Sequence, residues 1–367
     1  MGVVVAGAGH QGHRRLALLI LCGANLALVV TVAGSVTAIS EVFAPFTGHF
    51  IGIGLAASLA LLTRRLSPLI AGTLMTLIVH AGLGLSSCYQ PPQAPVVRTS
   101  ALSNDAAASL GRDLSVLSLN TWAKHGDPTR LAADLQHLDI DLMVLSEFGP
   151  NQRSLLGQLK KSHPFQISCA EEWACSLALL SRLPLESAGA GRIGSAELAF
   201  VWARLGGVTV VSTELVQPGR DPWLHDAQMA GLVEFIGRIP GPVILTGALN
   251  TTPWSKTYRM LRRVAELVPA SRLSPTWPAW PVAFPQVALD HIFVSSDLRV
   301  TAAGSGPAVG SDHLPVWAVV QRRPSFDRGK TLLRGFALRS APTQLHFGTQ
   351  LLADFSGEHG GARNLRR

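Results

Sequence analysis

Five places in the chain put an acid, an amide or an imidazole at or near the end of an apolar run. Asn120 follows Leu-Ser-Val-Leu-Ser-Leu, Glu147 follows Asp-Leu-Met-Val-Leu-Ser, and Asn250 follows Val-Ile-Leu-Thr-Gly-Ala-Leu. Asp290 and His291 sit within Ala-Leu-Asp-His-Ile-Phe-Val, and Ser311, Asp312 and His313 come just before the last apolar run. Short apolar runs of this length read as buried strands. Strands that repeatedly deliver a metal-liking or proton-moving side chain at their ends build a site along one edge of a sheet. Carboxylate and amide oxygens are hard donors, which suit Mg²⁺ or Mn²⁺ better than zinc. Singly, Asn120 or Glu147 would be an ordinary turn residue; the ordered set carries the reading.

The elements that must position these groups alternate along the chain. Strand-like runs fall at Leu114–Leu119, Asp141–Ser146, Ser176–Leu180, Leu198–Arg204, Val208–Ser212, Val243–Thr246, Leu289–Val294 and Val316–Val320. Asp127-Pro128 starts a helix with an N-cap acid and proline in its first turn, and Leu131, Leu135 and Leu138 stripe one face. Further helices are expected near 224–237 and 255–267. Strands with intervening helices indicate an α/β or α+β sandwich.

Asn120-Thr121-Trp122, Ser146-Glu147, Thr246-Gly247-Ala248-Leu249-Asn250, Leu289-Asp290-His291 and Ser311-Asp312-His313-Leu314-Pro315-Val316 follow one another in an order that resembles the endonuclease/exonuclease/phosphatase (DNase I-like) superfamily. Thr252–Ser255 and Pro275–Pro278 look like those of its membrane-anchored bacterial branch. The resemblance implies a four-layer αββα sandwich over residues 113–322 and in-line attack of water on a phosphoester. It implies that Asn120 and Glu147 hold a divalent metal, Mg²⁺ or Mn²⁺, and that Asp290 supports both the metal and His313 from the neighbouring strand. Asn250 would position the phosphate or the water, and Asp312 would orient His313 against the developing charge.

Two positions depart from the family pattern. The Gly-Asp-x-Asn motif reads Gly247-Ala248-Leu249-Asn250, and Thr-His-Leu reads Thr213-Glu214-Leu215. Alanine can neither take a proton nor make a charge-assisted hydrogen bond, and a lost general base costs about 10²–10⁴ in rate. Two readings follow. Either Glu214, on a neighbouring strand, replaces the missing carboxylate as a catalytic group, or the domain is a non-catalytic relative that binds a phosphate ligand or a partner. Among other candidates, His125, His137 and His163 read as surface or helix-edge residues. His225 reads as a helix-entry residue, and His291 faces away from Asp290 along its strand. Trp223, Trp254, Trp277 and Trp280 fall in loops or element ends near the motifs, suited to packing, base stacking or a membrane interface.

The rest of the chain has a different composition. Between residues 16 and 89 only Glu41, Arg64 and Arg65 are charged. Three apolar spans fit there, Leu16–Ser40, Phe43–Leu62 and Leu66–Cys88, each near the length a transmembrane helix needs. Arg14, Arg15, Arg64 and Arg65 belong on the cytoplasmic side, so the expected protein is anchored in the cell (inner) membrane with its C-terminal domain outside. The resulting layout is a 1–90 anchor of three transmembrane helices, a 91–112 linker, the 113–322 domain and a 323–367 basic tail. Residues 321–367 hold nine Arg or Lys and three Asp or Glu, which accounts for six of the chain's +8. The domain itself is therefore near neutral, and net charge gives little support to nucleic-acid binding. Candidate substrates remain nucleic acid, a phospholipid head group or a soluble phosphate ester. Cys169 and Cys175 flank Ala-Glu-Glu-Trp-Ala and read either as a disulfide or as two core thiols.

Overall fold

The computed structural model describes residues 113–323 except 124–126, 170–174, 272 and 282–286. In the N-terminal region it describes 12, 15–24, 26 and 38–62, with 39, 40 and 58–62 as backbone. The third apolar span, the linker, His125 and the tail from 324 onward lie outside the described residues.

Alternation along each strand decides the layers. Strands β1 (Leu114–Asn120), β2 (Leu142–Ser146), β3 (Phe165–Ser168) and β4 (Ala178–Ser181) join the later β11 (Leu298–Ser305) and β12 (Val316–Arg322) in one six-stranded sheet, ordered β11-β12-β1-β2-β4-β3. Strands β5 (Ser187–Ile193), β6 (Leu198–Leu205), β7 (Val208–Thr213), β8 (Val243–Ala248), β9 (Val268–Pro269) and β10 (Asp290–Val294) form the other, ordered β5-β6-β7-β8-β10-β9. Each sheet is mixed: β1 runs parallel to β2 and β7 to β8, and the other pairings are antiparallel. Val116, Val144 and Ala318 of the first sheet meet Val201, Val210 and Ile244 of the second in a shared core. Their neighbours one residue on, Leu117, Leu145 and Trp317, point to the opposite face and pack under α2 (Pro128–Gln136) and α3 (Ser154–Gln158). Val211, Leu245 and Phe293 do the same under α4 (Pro222–Arg238) and α5 (Lys256–Arg263). The order is therefore helix, sheet, sheet, helix, as expected.

Local chemistry accounts for the helix ends. Asp127 caps α2 by accepting from the amides of Thr129 and Arg130, with Pro128 in the first turn. Ser255 caps α5 through the Tyr258 amide, and Asp221 caps α4 through Leu224. Strands β3, β5, β9 and β11 are additions to the sequence reading. In β5, Ser-Ala-Gly-Ala-Gly-Arg-Ile, a Cβ at Gly189 or Gly191 would stand 2.8 Å from the Trp202 or Phe200 ring, so packing under aromatic side chains selects glycine over the usual strand residues.

The N-terminal residues give a partial picture. Residues 15–24 are helical, Ala38–Val42 and Ala44–Phe46 form 3-10 turns, and α1 spans Thr47–Leu62. Leu21 packs with Ile51 and Ala57 between the two helices. Among the described residues no helix is long and apolar enough to cross a membrane.

One main-chain approach sets the edge that carries the site. Gly247, in β8, has φ +132, and a Cβ there would stand 2.0 Å from the Thr213 carbonyl oxygen of β7. Gly247→Ala therefore meets both left-handed backbone strain and a clash with main chain that cannot rotate away. The expected loss is about 2 kcal/mol or more, measured as a lower urea midpoint with an unchanged slope.

Candidate active site

The first sheet supplies two groups at adjacent strand ends. Strands β1 and β2 pair in parallel with Asn120 opposite Ser146, so Asn120 and Glu147 leave the sheet side by side. Asn120 Nδ2 donates to Glu147 Oε1 at 2.9 Å, and its Oδ1 accepts the Trp122 amide at 3.0 Å. Thr121 Oγ1 donates to the Glu147 carbonyl at 2.8 Å. Glu147 has φ +47 and Asn250 φ +48, conformations uncommon for residues with a side chain. Each turns the chain sharply off its strand. In this arrangement Asn120 contacts Glu147 through its amide NH₂, and its oxygen is turned to the backbone.

The second sheet supplies the rest. Ser212 pairs with Thr246 in the parallel β7–β8 register, and the Leu215 amide donates to the Ala248 carbonyl at 3.1 Å. Glu214 and Ala248 are therefore at neighbouring strand ends, as the sequence implied. Ala248 is buried and stands opposite Asp290 in the β8–β10 register. The Asn250 amide donates to Leu289 O at 3.1 Å, and its Nδ2 donates to Leu215 O at 2.7 Å, which leaves the other side-chain hydrogen and the oxygen to the cleft.

Three contacts join the sheets across their common edge. Glu214 Oε2 accepts from the Glu147 amide at 3.1 Å and from Ser176 Oγ at 2.9 Å. His313 Nδ1 donates to Asp290 Oδ2 at 2.6 Å. Within the first sheet, Ser311 Oγ donates to Asn120 O at 2.7 Å and accepts the His313 amide at 3.1 Å. Of the two carboxylates the resemblance implied beside His313, Asp290 is the one bonded to the ring, and the orienting role implied for the adjacent Asp312 is not seen. Asp312 Oδ2 instead accepts Trp277 Nε1–H at 3.3 Å, because Ala279 and Leu314 tie the Trp277 loop to this turn through backbone bonds.

Crowded acids set the electrostatics. Burial pushes Glu214 up to about 7, reinforced by the charge of Glu147 and opposed by its two hydrogen bonds. Burial also raises Asp312, against the pull of His313 and the Trp277 bond. For His313 burial acts downward, but the Asp290 charge and hydrogen bond, with Asp312 and Glu147, outweigh it and leave the imidazole above its ordinary value. Asp290 Oδ1 and Asp312 Oδ1 are buried without a hydrogen-bond partner. Orphaned carboxylate oxygens among mutually repelling acids fit a hard cation. Among the described residues no three His, Cys, Asp or Glu stand close enough to hold a metal alone.

The remaining candidates separate cleanly. His291 Nε2 bonds to Thr251 O at 2.7 Å inside an aromatic cluster with Tyr258 and Phe293, a packing role. His225 is fully buried on α4, with Nδ1 donating to Val216 O at 2.7 Å. His163, expected at the surface, is fully buried: its ring nitrogens meet Ile140 O and Ser162 Oγ, and burial lowers it to about 4. His137 is exposed just after α2. The Trp280 ring lies 5.5 Å from that of Trp122, two residues after Asn120, and is tilted 40° to it, while Trp223 is exposed on α4. Cys169 and Cys175 form a disulfide. Ser176 and Ser311 were not singled out from sequence. A lone serine beside a strand carries no signal, although Ser311 lies within the quoted closing motif.

The two-sheet sandwich carries acids, amides and one paired histidine along a shared edge. The model of the Endonuclease/Exonuclease/phosphatase family matches residues 117–313, and the chain belongs to that family. No curated protein matches the chain. Among solved structures, a humanized D. rerio TDP2 is 14% identical over 57% of this chain and 99% of its own, with a TM-score of 0.49. Sphingomyelinase C from Streptomyces griseocarneus is 18% identical over 57% and 99%, with a TM-score of 0.43. The Staphylococcus aureus beta toxin double mutant with bound magnesium ions is 17% identical over 56% and 99%, with a TM-score of 0.43.

Two measurements check the electrostatics. A carboxyl group raised in the folded state stabilises the fold below its unfolded pKa and loses that stabilisation as pH rises through the folded value. For Glu214 the window runs from 4.5 to about 7. In chelator, the wild type should lose about 3 kcal/mol relative to Glu214→Gln across that window, read from unfolding at a series of pH values. Asp290→Asn should move the His313 titration to lower pH, read by NMR.

Proposed function

We propose that the chain is a membrane-anchored, metal-dependent phosphodiester hydrolase whose site works with Glu214 in place of the usual acid at position 248. The observation that carries this reading is the convergence of Glu147, Glu214, Asn250, Asp290 and His313 from two sheets on one edge. A Mg²⁺ or Mn²⁺ ion held at Glu147, with Asp290 and Asp312 beside it, would supply positive charge for the phosphate. Asn120 fixes the Glu147 carboxylate through its amide. Asn250 offers its remaining N–H to a phosphate oxygen. Water adds to phosphorus as the ester oxygen leaves, and Glu214 accepts the water's proton. His313, held through Nδ1 by Asp290, presents Nε2–H to the charge that develops on the phosphate.

The anchoring part of the proposal is supported by the near absence of charge between residues 16 and 89 and by the basic pairs that flank the spans. The Cys169–Cys175 disulfide supports an oxidising, extracytoplasmic compartment for the domain. The Trp122–Trp280 pair beside the acids suits a flat group such as a base, so nucleic acid and phospholipid head groups are the substrates to test first. Ala248 favours a second reading, a phosphate-binding relative without turnover.

Full-length protein with Mn²⁺ or Mg²⁺ separates the two on an aryl phosphodiester, plasmid DNA and phospholipid vesicles. Hydrolysis by the wild type is expected, abolished by Glu147→Ala and reduced about 10²-fold or more by Glu214→Gln. Turnover that appears only in Ala248→Asp/Glu214→His would establish the binding module instead.

A further inference from the structure

The junction of the first two apolar runs is docked onto the two-sheet sandwich. Ala38–Val42 packs against α4. Its one acid, Glu41, is 1% exposed. Glu41 Oε1 accepts the Lys256 amide at 2.6 Å, and Oε2 accepts Thr257 Oγ1–H at 2.7 Å. Lys256 opens α5, so its amide is one of the donors that a helix cannot satisfy from within. A carboxylate at that end also meets the positive end of the helix dipole. A buried acid with both oxygens matched to donors is a specific fit, because an unmatched one would be costly.

Proton accounting carries the contact onward. Thr257 has given its hydrogen to Glu41, and Ser255 donates its own to Thr252 O at 2.7 Å. Thr251 Oγ1 faces two hydroxyl oxygens whose hydrogens are committed elsewhere, Ser255 Oγ and, at 2.7 Å, Thr257 Oγ1, so its one hydrogen is shared between them. Thr251 is bonded directly to Asn250, and its carbonyl accepts His291 Nε2–H. His225 Nε2 lies 3.3 Å from the same Thr257 hydroxyl, and His225 Nδ1 holds Val216 O, one residue past the carbonyl that accepts Asn250 Nδ2. The Asn250 loop thus belongs to a buried polar network whose outermost member is Glu41.

We propose that Ala38–Val42 is part of the catalytic unit and that Glu41 is a positioning residue, setting the Asn250 loop through Thr257 and Thr251. Asn250 lies in the proposed active site, so the kinetic consequence rests on the proposed hydrolase activity; the docking does not. The contact needs Glu41 and α5 on one side of a bilayer, which is where the flanking basic pairs would put both.

The test uses the full chain in detergent, with hydrogen exchange read over residues 250–258 and turnover of an aryl phosphodiester with Mn²⁺. Glu41→Ala should speed exchange at Lys256 and also at Asn250 and Thr252 by about tenfold. It should lower kcat about tenfold with KM within about twofold. Glu41→Gln, which keeps one acceptor oxygen on a side chain of the same shape, should recover most of both. Thr257→Val, which leaves Glu41 in place, should speed exchange at Thr252 and spare Lys256. Unchanged exchange in Glu41→Ala would overturn the docking, and acceleration confined to 256–258 with unchanged kcat would overturn the positioning role. A wild type without turnover would sink the hydrolase reading while exchange still decides the fate of Glu41.

Discussion

The site depends on two sheets being held in register along one edge. Neither sheet carries enough chemistry alone: the first brings Asn120, Glu147 and His313, the second Glu214, Asn250 and Asp290. Apolar packing of Val116, Val144, Val201 and Ile244 sets the spacing between sheets but is indifferent to small sliding motions. Directional bonds are what remove that freedom. The His313–Asp290 bond and the Glu147 amide to Glu214 bond span the gap, so the same contacts that tune the acids and the imidazole also lock the frame. Stability and chemistry are coupled at this seam, and a change to either partner acts on both.

The electrostatic design follows from that geometry. Bringing carboxylates from two sheets to one edge places like charges near each other in a partly dry cleft. The protein answers with the His313 imidazole, the Asn120 amide, the Trp277 indole, the Ser176 hydroxyl and the Glu147 main-chain N–H, and leaves buried oxygens of Asp290 and Asp312 unanswered. Such a site has a standing demand for positive charge. Glu214 shows the strain most clearly, since its own hydrogen bonds do not offset burial and the charge of Glu147.

Much of this was legible in the order of the residues. The eight strand-like runs became strands because each is a short, mostly apolar run that can be buried between layers, and Asp127-Pro128 began a helix as its capping chemistry requires. What sequence could not supply was distance. Asp312 is next to His313 in the chain, yet Asp290, 23 residues earlier, takes its Nδ1, because antiparallel pairing of β10 with β8 brings Asp290 to the edge while the Trp277 loop draws Asp312 aside. His163 looked exposed because its neighbours are Lys160, Lys161 and Ser162; only the carbonyl of Ile140, brought near by the turn after α2, gives it a buried seat. Strand β5 was hidden by its glycines, which read as loop until the rings of Trp202 and Phe200 are placed over them. Glu41 was noted only as a rare charge in an apolar stretch, since its partners lie more than two hundred positions away.

Gly247 and Ala248 are adjacent, but they answer to different demands. The close passage of β8 by Thr213 involves main-chain atoms only, so it fixes the path of the strand without consulting the next side chain. Position 248 is in that sense a socket: the backbone presents it opposite Asp290 whether it carries an acid or a bare methyl. Reagent and scaffold are separable at this point, and a cleft of this construction can exchange one for the other without redrawing the sheet.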